Sequence, residues 1–135
     1  MVLDYERRLS AAIAVALMTL CGVEITRGED PVMANREALA RDLTNLALRA
    51  QDFYYRPTAK GGGHGSFGLL TADAAGLSRL TSKATNSNGT YYINTAGTSI
   101  SVEISGLGTM KGTDGNPLNF DIQVFADSTY MTFNN

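Results

Sequence analysis

The stretch from Leu9 to Tyr55 constrains this chain most, because it changes character part-way along. Leu9 to Val23 (LSAAIAVALMTLCGV) carries no charge and is apolar on nearly every side. Pro31 to Tyr55 (PVMANREALARDLTNLALRAQDFYY) has an apolar stripe and a charged back. A helix greasy all round needs lipid or other protein around it, whereas a striped helix needs one neighbour to cover its stripe. One half therefore points to assembly and the other to a small folded head.

The join between the halves is Gly28-Glu29-Asp30-Pro31. Asp30 is a good helix cap and Pro31 suits the first helical position, so Gly28 and Pro31 mark a helix break and restart. From there Leu39, Leu43, Leu46, Ala47, Ala50, Phe53 and Tyr54 recur at steps of three and four. Arg36, Glu37, Arg41, Asp42, Arg49 and Asp52 fall mainly off that stripe and read as a solvated face. Arg56-Pro57 ends the helix, since the residue before proline is driven out of helical geometry.

Downstream, Lys60 to Phe67 (KGGGHGSF) reads as a loop whose glycines shape the backbone. Thr71 is a candidate cap for a short helix over Ala72 to Leu80, and Asn86 to Gly89 (NSNG) is a turn. Strands are expected at Thr90–Asn94, Ser99–Ser105, Leu107–Lys111, Asn119–Phe125 and Ser128–Phe133, with a turn at Gly112 to Pro117. Alternation such as Ile100, Val102 and Ile104 against Ser101 and Glu103 gives an antiparallel sheet with one dry face. The stripe of the second helix is the long apolar surface on hand to cover it, which makes the fold class α+β. Residues 1–30 form an assembly or membrane segment, and residues 31–135 a globular head.

The apolar run itself admits three readings. A cleavable signal peptide fits Arg7, Arg8 and the length of the run, but no small-x-small cleavage site follows Val23. A membrane span is short: at ~1.5 Å per residue the run covers about 22 Å against a hydrocarbon core of ~30 Å. A helix buried among copies of itself suits Ala11, Ala12, Ala14, Ala16 and Gly22, which allow close approach, and is the reading the alanines favour.

Chemistry is sparse. Thirteen acidic residues against eleven basic ones leave no basic stripe for a nucleic-acid backbone, so nucleic acid is not an expected partner. Cys21 is the single cysteine, which rules out an intrachain disulfide and a cysteine-based zinc site. His64 stands alone in the glycine loop, with no second ligand at metal spacing. The loop lacks the Lys-Ser/Thr pair of a phosphate cradle and follows a helix rather than a strand. Glu37, Asp42 and Asp52 lie among arginines rather than as a catalytic pair. Tyr54, Tyr55, Tyr91 and Tyr92 suit helix-to-sheet or subunit packing better than a sugar platform. Asn88-Gly89-Thr90 matches a glycosylation acceptor and is equally a turn signal. No cofactor, metal or catalytic residue is expected. A charged fraction of 18% and a second half rich in Gly, Ser, Thr and Asn lean towards the cell exterior.

An apolar N-terminal helix, a Gly/Pro break and an amphipathic helix ahead of a sheet together resemble type IV pilins and the pseudopilins of secretion systems. The resemblance is sharpest from Ala34 to Thr71 (ANREALARDLTNLALRAQDFYYRPTAKGGGHGSFGLLT), with echoes at Thr85 to Tyr92 (TNSNGTYY). It implies a non-enzymatic subunit, anchored in the inner membrane before assembly and polymerised with identical subunits by a pilus assembly machinery into a filament at the cell surface. Leu9, Ile13, Ala14, Ala16, Leu17 and Leu20 would form the filament core. Pilins also carry a glutamate near the mature N-terminus, and Glu6 is the match ahead of the apolar run, although the chain lacks the Gly-Phe-Thr-Leu-x-Glu processing signature. Either Asp4 and Glu6 pair with Arg7 and Arg8 of this or an adjacent subunit, or the first eight residues lie outside the dry core. A pseudopilin at a secretion piston and a membrane-tethered binding module are the alternatives.

Overall fold

A helix of 25 residues, α1 (Pro31–Tyr55), leads the described part of the chain; the computed structural model describes residues 30–135. Glu6, Arg7, Arg8, Leu9, Ile13, Ala14, Ala16, Leu17, Leu20 and Gly28 lie outside the described residues. Proline stands at the first position of α1, and its interior has no glycine and many Ala, Leu and Arg residues, which favour helix. Asn35, Ala38, Leu39, Leu43, Leu46, Ala47, Ala50 and Phe53 are buried along it. Among the described residues no helix is long and apolar enough to cross a membrane.

The glycine loop closes the end of α1. A helix leaves its last four carbonyls without partners, and here the loop returns to supply donors. The amide of Gly63 donates to Phe53 O at 2.8 Å, that of Gly65 to Tyr54 O at 2.7 Å, and that of His64 to Arg56 O at 3.0 Å. Such tight folding-back explains the composition: a Cβ on Gly63 would sit 1.9 Å from Ser66 O and 2.8 Å from the Phe53 ring. A 3₁₀ turn at Thr58–Lys60 begins the return.

The short helix α2 (Ala74–Ser78) is smaller than the sequence expectation and differently capped. Asp73, not Thr71, is the cap: its carboxylate accepts from Gly76 N at 2.8 Å, and the Thr71 hydroxyl donates to the same oxygen at 2.6 Å. Gly76 lies against the backbone of Thr71, with a notional Cβ 1.9 Å from Thr71 O, so the chain turns at Thr71 before the helix starts.

Four antiparallel strands follow in simple meander order, β1 (Gly89–Thr95), β2 (Ser101–Lys111), β3 (Pro117–Phe125) and β4 (Thr129–Phe133). The described domain is thus α+β, one long helix and one antiparallel sheet. Two strands expected from the sequence are one: Ser99–Ser105 and Leu107–Lys111 join through Gly106 into β2. Gly106 does not break the ladder, because it pairs with Tyr91 on one side and Phe120 on the other. Its missing side chain makes room, since a Cβ there would lie 2.9 Å from the Tyr91 ring.

Burial alternates along β1 and β3, while in β2 Ser105 is buried on the face opposite the core as well. Ile93, Ile104, Ile122 and Met131 form one row across the four strands on the dry face, next to Tyr92, Ser105, Asp121 and Thr132 on the other face. Leu39, Leu43, Leu46, Ala50 and Phe53 of α1 share a core with Ile93, Val102, Ile104, Phe120, Ile122 and Val124. Ridge meets floor at the paired glycines Gly89 and Gly108, each about 3.0 Å, measured from a notional Cβ, from a methyl of Leu39. Asn35, buried beside them, accepts from Met110 N at 3.0 Å and donates to Asn88 O at 2.8 Å, so the seam is also hydrogen-bonded.

This packing gives a sharp expectation. A Cβ at Gly108 would lie 2.4 Å from Asn35 Oδ1 and 3.0 Å from Leu39 and Leu118. Gly108→Ala should destabilise the head by about 2 kcal/mol, as overpacking of a filled core does. Gly68→Ala, whose Cβ meets only the Ser66 hydroxyl at 3.2 Å, should stay within about 0.5 kcal/mol. Urea unfolding midpoints compare the two.

Candidate functional site

Of the packing residues expected from the sequence, Leu39, Leu43, Leu46, Ala50 and Phe53 are buried in the seam between α1 and the sheet. Tyr54 is partly buried against the same core and packs on Phe67, ring centroids 4.8 Å apart. Tyr55 is exposed and donates to Asp127 at 2.7 Å. Tyr91 and Tyr92, neighbours in sequence, fall on opposite faces of β1; Tyr91 is buried and Tyr92 exposed, so they form no common aromatic platform. His64 is exposed, and among the described residues no three His, Cys, Asp or Glu side chains converge.

The polar centre of the head is Asp42. The periodicity of α1 places it off the stripe, yet its carboxylate turns toward the NSNG turn and β1 rather than toward solvent. One oxygen, Oδ2, accepts from Tyr91 Oη at 2.6 Å, Asn88 Nδ2 at 2.9 Å and Asn86 Nδ2 at 3.0 Å. The turn that presents the two asparagines is itself held by Asn86, whose Oδ1 accepts from Asn88 N at 2.8 Å and Gly89 N at 3.2 Å. Partial burial pushes the Asp42 carboxyl up, but the bonds from Tyr91, Asn88 and Asn86 and the nearby Arg41 charge outweigh it and hold it below the usual carboxylate range. Burial, helped by the bond to Asp42, raises the Tyr91 phenol well above its ordinary value. This cluster is a clamp that ties α1 to the first strand.

No protein-family model, curated protein or solved structure matches this chain.

Beside the clamp, a cleft of about 200 Å³ opens on the flank of α1, lined by Asp42, Asn45, Arg49, Thr81, Lys83 and Asn86, with Leu46 and Tyr91 at its base. Arg49 reaches across to Leu80 O at 3.2 Å. The other acidic residues of α1 take no part: Asp52 is paired with Arg56 one turn on. Residues 42, 45 and 49 share one helix flank by their steps of three and four, a signal present in the sequence. Nothing local in the sequence links them to Thr81, Lys83 and Asn86, because the α2 region brings those residues round.

The clamp predicts a pH effect with a definite sign. Because folding lowers the Asp42 pKa, the stability it contributes is present above the unfolded carboxyl value of about 3.9 and is lost as pH falls through the lower folded value. Asp42→Ala, which strands the buried Tyr91 hydroxyl, should cost about 2 kcal/mol at pH 7. The gap between the variant and the parent should shrink at pH 3, as read from urea midpoints at the two pH values.

Proposed function

We propose that this protein is a structural subunit of a type IV pilus-like filament, joined to its copies through the apolar run Leu9 to Val23. The observation that carries the reading is the use of α1: its apolar stripe finds its cover in the chain's own sheet. The uncharged run upstream in the sequence has a different pattern, apolar at nearly every position and rich in alanine. A head with its helix covered, preceded in the sequence by an apolar run of this kind, suits a subunit that polymerises. The order of elements supports it too, a long helix followed by an antiparallel meander.

In this reading Ala14 and Ala16 sit where helices of neighbouring subunits approach, and a carboxylate there would be buried without a partner. Ala14→Asp or Ala16→Asp should abolish filaments in electron micrographs of purified protein while the circular dichroism and melting of the head stay unchanged. Filaments of normal length and diameter from either variant would overturn the proposal.

A further inference from the structure

We propose that the cleft on the flank of α1 binds a carboxylate-bearing sugar, a uronic acid unit of an acidic glycan. Its lining holds more hydrogen-bonding capacity than the fold uses. Arg49 commits one of its five N–H groups, the one on Leu80 O. The Lys83 ammonium and the Asn45 amide have no side-chain hydrogen bond among the described residues. Asp42, which also lines the cleft, takes all three of its donors on Oδ2, leaving Oδ1 without a side-chain donor among the described residues. The cleft thus presents two cations, one carboxylate oxygen and a neutral amide within about 200 Å³.

Each feature narrows the ligand. Arg49 and Lys83 together call for an anion, and the planar guanidinium fork suits a carboxylate. Asp42 Oδ1 repels a second negative charge and accepts from a hydroxyl, which disfavours a phosphate dianion in the same place. The volume is below the ~300–1,000 Å³ of pockets for drug-sized ligands and fits one ring. A free amino acid meets the charge pattern but needs an apolar wall for its side chain; Leu46 and Tyr91, the apolar members, keep only 6% and 3% of their surface exposed. Asn45 offers its amide and Asn86 one remaining amide N–H as polar partners instead, which a ring with several hydroxyls satisfies. The site lies wholly on the head, so it does not depend on whether the chain forms filaments.

The test is titration calorimetry of the full chain, as filaments or in detergent, with glucuronate, galacturonate and a galacturonate tetramer. Glucose, acetate, glycine and inorganic phosphate serve as comparisons. At least one uronate should bind, with acetate and glucose weaker by about tenfold or more, the effect of losing one charge-assisted contact. Lys83→Gln should weaken uronate binding by about tenfold with melting unchanged, and Asn45→Ala should weaken it less. Because Arg49 also holds Leu80 O, Arg49→Gln is informative only beside Lys83→Gln, which leaves the fold contacts intact. Uronates binding no tighter than acetate or glucose, glycine or phosphate binding tighter than any uronate, or a Lys83→Gln protein with parental affinity would each overturn the proposal. Filament formation by the same samples is scored separately in the microscope, so a failure here is distinguishable from a failure of the filament reading.

Discussion

Everything else in the head depends on how closely α1 can approach its sheet. Helices and sheets pack at a distance set by the side chains between them, and here glycines lower the floor under the first half of the helix. Gly89 and Gly108 are register partners, and Gly106 lies one inward position along β2 from Gly108. Leu39 and Leu43 settle over these three positions. That close approach also brings Asn35 near enough to bond Met110 N and Asn88 O, so that a buried amide is satisfied on both of its ends. With side chains at those glycines, the leucines would ride higher and Asn35 would lose its partners together with them.

A second consequence of the approach is the Asp42 clamp. Asp42 stands one turn after Ala38, on the flank that faces the NSNG turn, and one carboxylate oxygen collects three donors there. Asn86 organises the turn and contributes to the clamp at once. Tyr91 joins both layers: its ring lies against Gly106 on the dry side of the sheet, and its hydroxyl reaches the helix. The site is therefore assembled by the fold rather than by any contiguous motif.

That explains what the sequence makes legible and what it hides. The stripe from Leu39 to Phe53, the stop before Pro57 and the alternation in β2 and β3 are local signals, and local physics governs them. Gly106 misleads because glycine weakens a strand when nothing fills its place, while here the Tyr91 ring does. Thr71 misleads as a cap because Thr and Asp are both good caps two residues apart, and the approach of Gly76 to the Thr71 backbone decides between them. Asp42 is hidden for a different reason. A carboxylate among arginines on a helix reads as solvated, and its true partners lie 44 to 49 residues away.

The two flanks of α1 are treated unequally, and the inequality bears on where the head can interact. On one flank, Gln51 donates to Phe125 O at 3.0 Å and to Ser128 O at 3.4 Å, Tyr55 to Asp127, and Arg36 to the carbonyl of Asn135. Polar side chains there are committed to sealing the helix against β3 and β4. On the other flank, the clamp secures the helix through one oxygen of Asp42, Arg49 adds one bond to Leu80 O, and Asn45 and Lys83 make no side-chain hydrogen bond among the described residues. The helix is thus held on both flanks, by several separate bonds on one and mainly by a single carboxylate on the other.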